Sequence, residues 1–212
     1  MNRHSENQEK ALLKEVADIV FPRDLARVKA QYEEAGRYYH SWDHALDVIA
    51  AVTTLPLPYG EVRMAHLLAA LFHDVVYVPG AKDNEARSAD VLSELFPESV
   101  LARELVMATE THAVATRANT DPRFWDFMDC DILGIAEPCW PLAIANDWNV
   151  GAELVPVYGL EASAAGRAQF LANWLAKPSI FLGDFYGSTH EWQARKNLTA
   201  LIEFKGHDFG AY

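Results

Sequence analysis

The sequence predicts an all-α protein, and three observations carry that prediction. Apolar residues recur at helical spacing, few stretches alternate apolar and polar with the period of two that a strand needs, and glycine and proline cut the chain into helix-length pieces. The 212 residues suffice to bury a sizeable core; half are hydrophobic and 23% are charged, which is globular composition and excludes a disordered or collagen-like chain. No repeat or linker-like tract divides the chain, so one domain over 1–212 is expected.

In chain order, helices are expected near 8–20, 24–38, 42–54, 61–75, 84–95, 98–113, 122–134, 139–149, 160–176 and 189–205. Pro22, Pro56, Pro58, Pro79, Pro97, Pro122, Pro138 and Pro178 fall between or at the edges of these pieces, where a missing N–H does little harm. The stretch PSIFLGDFYG after Lys177 reads as a loop or a short strand, and Trp140, Trp148, Trp174 and Trp192 read as core. No run approaches the ~20 apolar residues of a spanning helix, and the polar start MNRHSENQEK has no signal-peptide core, so a cytoplasmic protein without membrane contact is expected. Cys130 and Cys139 match neither a zinc knuckle nor a disulfide framework and read as reduced packing residues. The formal net charge of −12 argues against long nucleic acid or an anionic membrane as partner; an anionic ligand needs a local positive site.

The segment MAHLLAALFHDVVY carries the strongest chemical signal. Leu67 to Phe72 is unbroken apolar sequence, and a helix hydrophobic on every side is a buried one. His73 and Asp74 follow directly, and a buried carboxylate is costly unless it is paired or coordinates a metal. A hydrogen-bonded pair or an ion pair with an arginine is the structural alternative.

Three other segments aim ligand-type residues inward. Ser41 can cap a helix on which His44, Val48, Ala51 and Leu55 share one face. Leu101, Leu105, Ala108 and His112 form a stripe that puts His112 on the core side at the end of its helix. Phe124, Phe127, Met128 and Asp131 stand at i, i+3, i+4 and i+7, so Asp131 points inward while Asp129, on another part of the surface, is assigned to support or capping. Two histidines and two aspartates converging from three helices point to a metal site. His66, two turns before His73, is read as bordering the site or packing, and Arg195 as a surface pair with Glu191.

Ordered along the chain, the motifs are YHSWDH at 39–44, FHDVVY at 72–77, DNEARSA at 83–89, THAV at 111–114 and DCDILG at 129–134. This series resembles the HD superfamily, closest to its predicted metal-dependent phosphohydrolases, over about 38–136; GRAQFL at 166–171 and ARKNL at 194–198 are weaker matches. The resemblance implies an HD-type helical bundle with a helical C-terminal extension over about 137–212, and His44, His73, Asp74 and Asp131 as metal ligands, the same four that periodicity selects. Imidazole and carboxylate ligands without thiolate suit one divalent ion of Mn, Fe, Co, Ni or Zn, or Mg with waters completing its shell.

The expected function is hydrolysis of a nucleotide or other small phosphorylated metabolite by a metal-activated water. Asp83 can cap a helix whose first turn holds Glu85, and the resemblance singles out Glu85 to orient or deprotonate that water, with Asp74 beside the metal. His112 is a candidate to protonate the leaving group or bind phosphate, with a core histidine bonded to a carbonyl as the structural alternative. Lys82 and Arg87 are candidate phosphate binders in an otherwise acidic chain, and His40, which the family pattern includes, is a third substrate-binding candidate. Two alternatives stay open: an iron-dependent oxygenase on an HD scaffold, and a non-catalytic metal- or nucleotide-binding regulator, since NVGAELV at 149–155 lacks the arginine of the Arg-x-Glu-Tyr-like pattern.

Overall fold

The computed structural model describes residues 3–204, which form eleven α-helices and short 3-10 turns, with no strand among the described residues. The chain resolves into two compact units, Met1–Glu110 and Thr111–Tyr212, and the stretch carrying the motifs runs across the boundary. Among the described residues no helix is long and apolar enough to cross a membrane.

The first unit holds α1 (Glu6–Leu12), α2 (Lys14–Ala17), α3 (Pro22–Tyr32), α4 (Trp42–Thr54), α5 (Glu61–Phe72), α6 (Asn84–Leu95) and α7 (Val100–Ala108). Its axis is α5, packed against α4, α6 and α7, which is why every residue from Ala65 to Phe72 is buried. Local signals set the ends. Ser5 and Gln8 make a capping box at α1, Pro22 opens α3, and α4 stops at Leu55, which turns extended ahead of Pro56. Ser41 and Asp83 do stand at the N-caps of α4 and α6, but neither side chain makes the capping hydrogen bond expected of it. The helix expected over 24–38 ends at Tyr32, and Gly36 takes a left-handed conformation (φ 91°) that lets Arg37 to Ser41 run irregularly into α4. The helix expected over 8–20 is divided at Leu13 into α1 and α2.

The second unit holds a 3-10 turn at Pro122–Phe124, α8 (Trp125–Ile132), a 3-10 turn at Leu133–Ala136, α9 (Trp140–Tyr158), α10 (Leu160–Leu175) and α11 (Asp184–Glu203). The expected helix over 139–149 continues to Tyr158, with Gly151 buried along it and Pro156 inside its last turn. Gly159 (φ 78°) alone separates α9 from α10, a reversal that a β-carbon would strain. A buried ion pair, Arg167 Nε to Asp147 Oδ1 at 2.5 Å, joins these two helices. Asn197 on α11, 2% exposed, donates to the carbonyls of Ile135 (2.9 Å) and Glu137 (2.8 Å) and so holds the second 3-10 turn. Trp174 is core as expected, but Trp192 is 71% exposed: Ala194, Leu198 and Leu201 form the buried face of α11.

Arg195 and Glu191 do more than the expected surface pair. The Glu191 carboxylate accepts from the N–H of Ile180 (3.0 Å) and Phe181 (3.2 Å), while Arg195 donates to the carbonyls of Leu175 (3.0 Å), Lys177 (2.9 Å) and Pro178 (3.2 Å). The segment between α10 and α11 is thereby a loop held by α11, with GDFYG already entering the helix. Glu191→Ala should orphan two backbone donors and cost about 1–3 kcal/mol, beyond the ~1 kcal/mol ceiling of an exposed pair. Urea unfolding of the full chain checks this; a loss of a few tenths would restore the surface-pair reading.

Candidate metal centre

In the first unit the packing of α4 on α5 brings three ligand-type atoms together. His44 Nε2 lies 3.2 Å from His73 Nε2 and 3.7 Å from Asp74 Oδ2, and His73 Nε2 lies 3.1 Å from the same oxygen. Metal–ligand bonds of ~2.0–2.2 Å put neighbouring ligand atoms roughly 3–3.5 Å apart. Two of these separations fall in that range and the third, 3.7 Å, just beyond it, and the three side chains could hold a metal ion. Both rings are buried, His44 at 3% and His73 at 1% exposure. His73 Nδ1 stands 3.0 Å from the Ala70 carbonyl, where only its N–H can bond, so Nε2 keeps the lone pair a metal requires. The expected stripe is borne out: His44, Val48, Ala51 and Leu55 are all buried.

The doublet sits just past the end of α5, where backbone groups lack helical partners, and neighbours satisfy them. The Asp74 N–H donates to Tyr32 Oη (3.2 Å), and the Arg37 guanidinium donates to the Asp74 and Val75 carbonyls (2.6 and 2.9 Å). Burial pushes the Tyr32 phenol well above its ordinary range, so it stays a neutral hydroxyl. On the other side, Asn84 bonds both the N–H and C=O of Val78, and Ser88 both those of Val76. Sequence reasoning missed these four. Asn84 and Ser88 had a usable signal, small polar residues one turn apart within DNEARSA, whereas the partners of Tyr32 and Arg37 are backbone groups some forty positions away, which leave no mark on the sequence.

Of the substrate-binding candidates, His40 stacks on Tyr77 (ring centroids 4.1 Å, 22°) and meets His44 edge-on at 5.9 Å, so it borders the triad. Glu85 is half-buried in the first turn of α6, and Lys82 and Arg87 are exposed. His66 packs: its Nδ1 bonds the Val62 carbonyl at 2.8 Å.

In the second unit His112 lies on a 3-10 turn, Thr109–Val114, because α7 ends at Ala108 before the expected boundary. Its Nδ1 is 3.3 Å from Asp131 Oδ2, both side chains largely buried, and its carbonyl accepts from Lys177 Nζ (2.7 Å). The Asp131 stripe is only partly as expected: Phe127 and Met128 are buried, but Phe124 belongs to the turn before α8 and the angular register starts afresh at Trp125. Asp129 is the fully buried aspartate. It accepts from the N–H of Leu182 and Gly183, both at 2.7 Å, at the entry to α11, which is the capping work expected of it. Burial pushes its carboxyl up to about 7, against those two donors, which lower it.

No protein-family model matches the chain, and no curated protein or solved structure matches it.

Asp129→Ala should strand the Leu182 and Gly183 donors in a buried setting, at about 1–3 kcal/mol each. Denaturant unfolding measures this, and a loss below ~1 kcal/mol would mean that water replaces the carboxylate.

Proposed function

We propose that this protein is a metal-dependent phosphohydrolase of the HD type, acting on a nucleotide or other small phosphorylated metabolite. His44, His73 and Asp74 would hold a single divalent ion, and the resemblance to the HD superfamily adds Asp131 as a fourth ligand. The observation that carries the reading is the meeting of two imidazole nitrogens and a carboxylate oxygen at 3.1 to 3.7 Å beyond an apolar helix. Such a group is costly to bury for structure alone and has the donor chemistry of a first-row ion. An ion bound there would supply a water of lowered pKa and polarise a phosphoryl oxygen.

The chain's own residues divide the remaining work. Glu85 takes the proton of the attacking water as its oxygen bonds phosphorus, and His112 gives a proton to the ester oxygen as the old P–O bond breaks. His112 Nδ1 stands 3.3 Å from Asp131 Oδ2, a contact that orients the ring. Lys82, Arg87 and His40 are assigned to the phosphate, consistent with the exposure of the first two and the place of His40 beside His44. The proposed setting is the cytoplasm.

Metal content of the purified chain, followed by phosphate release from a panel of nucleotides and sugar phosphates, tests the proposal. About one ion per chain is expected in the wild type and almost none in His73→Ala or Asp74→Ala at retained helicity. Asp131→Ala should lose far more metal than Asp129→Ala, and the reverse order would put the wrong aspartate in the site. Full occupancy in either doublet variant would sink the ligand assignment.

Glu85→Gln separates catalysis from coordination. It should keep the ion and lose ~10²–10⁴ in turnover, the usual cost of a missing general base. Near-normal turnover in the metal-loaded variant would return Glu85 to a role in starting α6.

A further inference from the structure

We infer that Arg37 is a positioning residue for the His73–Asp74 doublet, fixing the peptide from which the Asp74 carboxylate reaches an ion. The inference rests on the metal reading above.

Arg37 is an unusual residue to bury. Its side chain is 4% exposed, yet its ion-pair partner in this unit, Glu34, stands at 3.5 Å and is 60% exposed. A desolvated guanidinium needs more compensation than so solvated a carboxylate supplies. It comes from the backbone and from ring faces. Nη1 donates to the Asp74 carbonyl at 2.6 Å and Nη2 to the Val75 carbonyl at 2.9 Å, with His40 O at 3.4 Å from Nη1. The guanidinium carbon also lies 5.5 Å from the Tyr32 ring centroid and 5.9 Å from that of Tyr77, within cation–π range.

The effect falls on the doublet. The Asp74 peptide is held by Arg37 at its carbonyl and by Tyr32 Oη at its N–H, so the backbone that aims the carboxylate is fixed from both ends. The contact to His40 O ties in the segment that enters α4, on which His44 stands two residues from the start. One planar fork thus links the two stretches that supply the three ligands of this unit. A lysine cannot reproduce it, because a single ammonium on a flexible stem does not present two parallel donors to successive carbonyls.

The test measures metal affinity in the full chain. Wild type, Arg37→Lys and Tyr32→Phe are titrated with Mn²⁺, Co²⁺ and Ni²⁺ by calorimetry, and urea unfolding of each metal-free protein is recorded in parallel. Arg37→Lys should weaken binding ~10–100-fold, the usual effect of removing a partner that orients metal ligands, and Tyr32→Phe should weaken it less but measurably. Glu191→Ala is the control: it should destabilise the protein yet bind metal as the wild type does, since lost stability alone does not move the affinity of a folded site. A folded Arg37→Lys with wild-type affinity would overturn the inference. Should that variant not fold, Tyr32→Phe decides, and unchanged affinity in it overturns the inference equally. A wild type that binds none of the three ions overturns the metal reading itself, and the positioning role with it.

Discussion

The burial of α5 on every side is the constraint on which the first unit depends. A helix that packs against α4, α6 and α7 together is covered on every face from Ala65 to Phe72, and the one polar side chain in that stretch, His66, bonds a carbonyl of its own helix. The first polar side chains after that run therefore emerge opposite His44 on α4, with His73 fully inside and Asp74 partly exposed. Two rigid helices in close contact hold such atoms to a few tenths of an ångström, the precision a coordination shell requires. Two imidazoles and a carboxylate brought together out of water are costly to bury, and they carry the donor chemistry of a metal site. That is the physical reason for reading the arrangement as chemistry.

Around the doublet the same problem recurs in backbone form. The chain from His73 to Asp83 is irregular and partly buried, and buried peptide groups need partners as strictly as side chains do. Asn84 and Ser88 close on the Val76–Val78 stretch from α6, while Tyr32 and Arg37 close on Asp74 and Val75 from the other side. The second unit uses the same device three times. Asp129 holds the entry to α11, Glu191 and Arg195 hold the loop before it, and Asn197 holds the 3-10 turn after α8. Asn84, Ser88 and Asp129, all within the motifs, thus serve as tethers of irregular backbone. In DNEARSA, Asn84 and Ser88 hold backbone, while Glu85 between them is the residue proposed above to act on the attacking water.

The all-α class, the inward face of α4 and the His73–Asp74 doublet were legible in the sequence, because each is written locally. A period of 3.6 assigns a face, an apolar run of six announces burial on all sides, and a charged pair at its end stands out against both. Less was legible where register depends on a helix boundary. His112 was assigned to an α-helix that in fact gives way to a 3-10 turn after Ala108, and the Asp131 stripe was counted from Phe124, which lies before α8 begins. The boundaries moved, yet both side chains stay largely buried, at 16% and 13% exposure, so the inward direction was legible even where the helix ends were not. Trp192 failed for a related reason: its size suggested core, but the angular position of Ala194, Leu198 and Leu201 decided which face of α11 is covered.

What the sequence determined by itself, then, is the class of fold and the residue types at the candidate centre, since both follow from short-range periodicity and the cost of burying charge. The tertiary structure alone decided which polar side chains serve the backbone. Arg37 reaches Asp74 and Val75, and Asp129 reaches Leu182 and Gly183, across separations of 37 to 54 residues. In every one of these contacts the partner is a peptide group. Peptide groups are the same at every position, so no pairing of residue types in the sequence marks which of them a distant side chain will find; only the packing of the helices selects it.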